Sequence, residues 1–310
     1  MTAFQTLKPQ TRDLGGGFMV RRLLPQADRR AVGPFVFFDH FGPIDVEPGA
    51  NHDVRPHPHI GLATLTYLFE GAIQHRDSTG VVQRIEPGAV NLMSAGRGIV
   101  HSERTPKDLL GVPHRSHGLQ LWIALPVERE DSAPAFQHVP ADHIPTVRLP
   151  GVRVTVVVGT AYGATSPVAT ASPTLALVFE FDVAATVGGV ALSRDDASER
   201  ALYALDHPIE LDGVKVDEFT LVVLEPGAEP VLSAPRGGRV VLLGGDSLGH
   251  RFLSWNFVAS TRERIRAAED NWLAQRFANV PGETEFIPLP RRATPSVPPE
   301  PPSQQTPAAT

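Results

Sequence analysis

Between residues 62 and 103 the chain is punctuated so often that it can fold only as short strands. Glu70-Gly71, Ser78-Thr79-Gly80 and Glu86-Pro87-Gly88 are turn signals at close spacing. The segment before the first of them, Leu62 to Phe69, alternates Leu62, Thr64, Thr66 and Leu68 against Ala63, Leu65, Tyr67 and Phe69. Both sets are largely apolar, the pattern of a strand covered on both faces inside a barrel or sandwich. This is an antiparallel all-β pattern.

Two short runs flank that region and carry its chemistry. His57-Pro58-His59 and His101-Ser102-Glu103 each place two ligand-type side chains one residue apart. Successive side chains of a strand point to opposite faces, so residues i and i+2 share one. Pro58 favours extended backbone for itself and for the residue before it. Three imidazoles and one carboxylate suit iron, copper, nickel, manganese or zinc and are too nitrogen-rich for calcium or magnesium. Ten of the twelve histidines lie between His40 and His143, with only His207 and His250 beyond. Of these, His40, His52, His75, His114, His117, His138 and His143 read as supporting, pocket or surface residues rather than ligands.

Composition removes other classes. The net charge of −6 comes with scattered arginines, and no basic face for nucleic acid is visible. There is no cysteine, hence no disulfide framework and no thiolate nucleophile or ligand. Met1 to Leu14 is polar and is not a signal peptide, and no apolar stretch reaches the roughly 20 residues of a membrane span. A soluble, cytoplasmic chain is expected. Gly96-Arg97-Gly98 lacks the Lys-Ser/Thr of a phosphate loop and reads as a turn, and no Gly-x-Ser-x-Gly elbow occurs.

Strands are also expected around Phe35 to Phe38, at Leu119 to Leu125, Val152 to Gly159, Thr174 to Val183 and Phe219 to Leu224, with Glu128 to Pro150 as an irregular connector. Glu225-Pro226-Gly227 follows Glu86-Pro87-Gly88 at 139 positions, and Ser233 to Gly238 echoes Ser94 to Gly98. That offset sets Val240 opposite His101 and Leu242 opposite Glu103, as in a duplicated domain whose second copy has lost its ligands. Ser260-Thr261-Arg262-Glu263 reads as a capping box opening a helix to about Phe277. The expected divisions are residues 1–130, 131–287 ending in the helix, and a disordered Pro-rich tail at 288–310.

Phe38-Asp39-His40-Phe41-Gly42-Pro43, Pro56-His57-Pro58-His59, Met93 to Glu103 and His117-Gly118-Leu119-Gln120-Leu121-Trp122 resemble the signature segments of the pirin family of the cupin superfamily. Trp255-Asn256-Phe257-Val258 and the helix after it resemble the C-terminal segment of its bacterial members. The resemblance implies a bicupin, two stacked antiparallel β-barrels with a C-terminal helix, and one divalent metal in the first barrel on His57, His59, His101 and Glu103. Iron(II) is the metal expected in the cell, with Cu, Ni, Zn or Mn able to replace it. It further implies a dioxygenase of the quercetin 2,3-dioxygenase type, acting with O2 on a flavonol or related enol, with Glu103 as catalytic base. The alternative it carries is a metal-dependent regulator that binds a transcription factor or metabolic enzyme. Where many pirins have Glu four positions after the second His, this chain has Ala63, so the pocket floor is expected to differ.

Overall fold

The structure is a computed structural model that describes residues 4–15, 17–183, 189–193 and 196–290. Most of the expected tail, residues 291–310, lies outside them. All strand pairings within the sheets are antiparallel. The first half forms a seven-stranded sheet in the order Ala135–Val139, Val90–Ser94, Leu62–Glu70, His114–Ala124, Phe35–Val46, Met19–Leu24, Gln10–Asp13. Facing it is a four-stranded sheet ordered Val54–His59, Ile99–Arg104, Ile73–Asp77, Val82–Ile85. The second half repeats the plan. Its seven-stranded sheet runs Gln5–Leu7, Leu221–Val223, Glu199–Ala204, Gly238–Gly245, Thr174–Phe181, Val152–Val158, Thr146–Leu149. Its small sheet runs Val190–Ala191, Val231–Ser233, Ile209–Leu211, Val214–Val216. This is the bicupin.

Superposing the two orders corrects the repeat read from sequence. In the small sheets, Ile99–Arg104 corresponds to Val231–Ser233, not to Gly238–Gly245, which is the counterpart of His114–Ala124. The counterparts of the ligand strand are therefore Val231, Leu232 and Ser233, and the 139-residue offset is one strand out of step. The reason is that the Glu-Pro-Gly turns lie at non-equivalent corners. Gly88 and Gly227 share a positive φ of 80° and 75°, so the same local turn chemistry was reused elsewhere in the fold.

Sheet membership crosses the expected 130/131 division in three places. Gln5–Leu7 adds to the second sheet beside Leu221–Val223, and Ala135–Val139 adds to the first beside Val90–Ser94. The supposed connector thus supplies edge strands to both barrels, since Thr146–Leu149 pairs with Val152–Val158. Pro134 and Pro140 bracket the first of these, which is tolerable only at an edge. Thirdly, the Phe252–Ser254/Phe257–Ala259 hairpin bridges to Ile60 of the first barrel through Phe257.

The period-two alternation divides side chains between two cores. Leu65, Leu119, Leu121 and Ile123 meet Ala201, Tyr203, Val241 and Leu243 between the two large sheets. Ala63 joins that layer, so it bears on the packing between barrels and not on the pocket floor, where a difference was expected. Inside the second barrel, Val154, Leu177, Phe179, Leu202, Leu232, Val240 and Leu242 fill the interior. A fully buried Leu or Phe contributes roughly 1.5–3 kcal/mol, so this barrel is a packed core.

The helix spans Arg262–Leu273, shorter than expected. Its cap is Thr261, which accepts from the Arg264 N–H, while Ser260 bonds the buried Glu130 through both its N–H and its hydroxyl. Ile265 and Ala268 pack on Ile60, Phe257 and Ala259, fastening the helix to the first barrel. No helix among the described residues is long and apolar enough to cross a membrane.

Candidate metal centre

The interior of the first barrel holds a cavity of about 400 Å³ in place of apolar filling. Phe37, Asp39 and Phe41 face it from one strand and Gln120 and Trp122 from the next, the alternation that sends Phe38 and Leu121 into the inter-barrel core. His57, His59 and Glu103 line it from the small sheet. His57 and His101 are direct partners across the Val54–His59/Ile99–Arg104 ladder, and His59 shares a strand face with His57. Each of His57, His59 and His101 offers a ring nitrogen within 4.8 Å of the others, and all three are buried.

Burial pushes the His57 ring down to about 4 and holds His59 and His101 well below the usual histidine range, with neighbouring rings adding to the effect. The three imidazoles are therefore neutral at neutral pH, the form that binds metals. His57 Nδ1 donates to the Arg55 carbonyl at 2.9 Å and His59 Nδ1 to the Asn256 carbonyl at 3.0 Å. Each such bond leaves Nε2 bare and fixes the ring plane. Asn256 sits in the hairpin turn, and Gly61 lets that hairpin approach. A Cβ on Gly61 would lie 2.0 Å from the Val258 carbonyl oxygen.

Glu103 lines the same cavity but stands outside the three-imidazole cluster. The irregularity beside it lies in the neighbouring strand, where His101 pairs with His57 but Glu103 with Val54, one residue more than a regular ladder allows. Glu103 is half-buried, and desolvation pushes its carboxyl up to about 7.

Other residues of the site lie across strands, beyond the reach of a linear pattern. Trp122 stacks on Phe37 with centroids 3.9 Å apart, and the Arg22 guanidinium lies 4.3 Å above Phe37. Arg22 also grips Asp39 with two bonds of 2.8 and 2.7 Å. Gln120 accepts from the Thr66 hydroxyl at 2.9 Å. Behind His101, His75 and Asp77 form a further buried pair at 3.0 Å; the alternation of His75 and Asp77 on one strand was its only trace in sequence.

The remaining histidines fall elsewhere. His52 and His114 line the cavity wall. His40 and His117 meet at 2.8 Å between the barrels, His138 bonds Asn91, and His143 is exposed. Among the described residues, the three-imidazole group is the one cluster of His, Cys, Asp or Glu able to hold a metal.

Comparison with known proteins finds matches along most of the chain. The pirin family model matches residues 17–123, and the model of the pirin C-terminal cupin domain matches residues 181–278. A pirin-like protein of Caulobacter vibrioides is 44% identical over 281 residues, 89% of this chain and 95% of the relative. A Pseudomonas aeruginosa protein named as a candidate quercetin 2,3-dioxygenase is 38% identical over 298 residues, covering 95% and 90% of the two chains. The crystal structure of a quercetin 2,3-dioxygenase from Acinetobacter baumannii superposes with a TM-score of 0.81 at 33% identity, over 93% of this chain and 97% of that one.

Proposed function

This chain belongs to the pirin family, and from that premise we propose that it is a metal-dependent dioxygenase that opens the central ring of a flavonol or a related enol with O2. The observation that carries the reading is the set of three neutral, converging imidazoles, two of them at the wall of a 400 Å³ cavity with aromatic lining. The residues fit a transition metal. His57 and His59 turn bare Nε2 atoms inward because their Nδ1 atoms are committed to carbonyls. His57, His59 and His101 would hold the ion, with Glu103 as a fourth, anionic donor. A divalent iron, copper, nickel, manganese or zinc ion suits such a set, and iron(II) is the choice best matched to O2 chemistry.

When bound, the metal supplies Lewis-acid polarisation of the substrate's enol oxygen and electron transfer toward O2. The chain's own groups do the rest. Glu103, with its carboxyl poised near 7 by burial, takes the proton of the enol hydroxyl onto a carboxylate oxygen. Phe37 and Trp122, stacked on each other, form an aromatic wall against which a planar ring system packs and which keeps water from it. Gln120, held by Thr66, and the Arg22–Asp39 pair present polar atoms that orient substrate hydroxyls. The names of the Pseudomonas and Acinetobacter relatives support the flavonol class.

The test is turnover of quercetin by the iron-loaded protein, followed by O2 uptake and carbon monoxide release. Turnover well above that of free iron is expected. Turnover equal to free iron would overturn the enzymatic reading in favour of a metal-dependent regulator.

A further inference from the structure

Of the three clustered rings, His101 alone is oriented by side chains. His57 and His59 lean on backbone carbonyls. His101 Nδ1 instead meets His75 Nδ1 at 3.4 Å, and His75 Nε2 meets Asp77 Oδ2 at 3.0 Å. The other Asp77 oxygen accepts the Thr79 N–H at 2.8 Å and the Thr79 hydroxyl at 2.6 Å, which fixes the carboxylate's orientation. Phe136 stacks on His75 with centroids 4.6 Å apart and fixes that ring as well. Asp77 and His75 are both buried.

The protons along this line follow from donor chemistry. A carboxylate only accepts, so His75 carries its proton on Nε2. Its Nδ1 is then a lone pair, and the His101 nitrogen facing it must be the donor. His101 therefore carries Nδ1–H and presents a bare Nε2. That atom lies 3.1 Å from His59 Nε2, also bare, so no proton stands between them and two lone pairs converge.

We infer that Asp77 and His75 are positioning residues that act through His101, setting its tautomer so that its Nε2 stays open to a metal. The inference rests on the reading of this cluster as a metal centre. His57 and His59 have the same arrangement from main chain that substitution cannot remove. His101 has it only through this relay, so the site's third nitrogen depends on a carboxylate two residues removed in space.

Asp77→Asn tests the relay. The new amide can donate to His75 Nε2, which moves the His75 proton to Nδ1 and forces the His101 proton onto Nε2, where a metal would bind. Long-range 1H–15N spectra of metal-free protein read the tautomers directly, with the His101 signals identified by their loss in His101→Ala. Wild type should show His101 protonated at Nδ1, and Asp77→Asn should shift it to Nε2. Zinc affinity, measured by chelator competition, should fall about 10- to 100-fold in Asp77→Asn. His75→Phe keeps an aromatic ring against Phe136 but removes the acceptor, and should also weaken zinc binding while leaving the fold intact. It serves if Asp77→Asn fails to fold. An Nε2-protonated His101 in wild type, or unchanged tautomer and affinity in the variants, would overturn the inference. If His101→Ala binds zinc as well as wild type, the metal reading fails, while the tautomer spectra still decide the relay.

Discussion

Acidification should loosen the seam between the two barrels, and His117→Gln should blunt the effect. His117 is fully buried there, its Nε2 2.8 Å from His40 Nε2, whose Nδ1 reaches the Tyr203 hydroxyl of the second barrel at 2.8 Å. The Arg239 guanidinium lies 3.4 Å from His117 Nδ1 and Glu70 3.7 Å from it. Burial first, and the nearby Arg239 second, push His117 down to about 4 from 6.5. The sign follows. Above 6.5 the ring is neutral in both folded and unfolded chains and contributes no pH dependence. As pH falls the unfolded chain takes up a proton that the folded chain refuses until about 4, so stability is lost across that window. The gap corresponds to about 3 kcal/mol. His40 is displaced in the same direction and is coupled to His117, so the pair resists even its first proton. The assay is urea unfolding of metal-free protein at several pH values from neutral to about 4. Gln keeps a hydrogen-bonding side chain but cannot become charged, and the cluster histidines titrate alike in both proteins. Wild type should therefore lose about 3 kcal/mol more than His117→Gln over the window. Parallel curves would refute the reasoning.

Three further outcomes follow from the site. Glu103→Gln keeps an oxygen donor but removes the base, so metal affinity should drop modestly while quercetin turnover at matched metal occupancy falls about 100-fold or more; equal turnover would remove Glu103 from that role. Gly61→Ala, at φ 66° with its Cβ directed at the Val258 carbonyl oxygen, should cost about 2 kcal/mol or more in urea unfolding and weaken metal binding through the displaced Asn256 carbonyl. Phe37→Ala removes the face stacked on Trp122 and should raise KM for a flavonol more than it lowers kcat, read from steady-state O2 uptake.

What was legible in the sequence was what a strand's period of two makes local. His57 could be paired with His59, and His101 with Glu103, because i and i+2 share a face, and the alternation at Leu62–Phe69 was enough to reveal a barrel wall covered on both sides. Relations between strands were not. Asp77 and His75 reach His101 only across the Ile73–Asp77/Ile99–Arg104 ladder, and the Asn256 carbonyl comes from a hairpin nearly 200 residues further along the chain. Glu103 was read from its alternation with His101 as a fourth donor, whereas its standing outside the three-ring cluster depends on the three-dimensional placing of the strands. The repeat misled for a related reason. Glu-Pro-Gly reports the local demand for a tight turn, and the same demand arises at different corners of two barrels with matching topology. The strand at Ala135–Val139 was hidden by its flanking prolines because edge strands need no inward-facing pattern on both sides.

The metal content of three purified proteins bears most directly on the account. After loading with excess iron(II) or nickel(II) and removal of free ion, wild type and His143→Ala should each hold one metal per chain, since His143 is exposed and lies outside the cluster. His101→Ala should hold almost none, because two imidazoles and a half-buried carboxyl remain. Equal metal in all three proteins would contradict the assignment of His57, His59 and His101 as the metal centre.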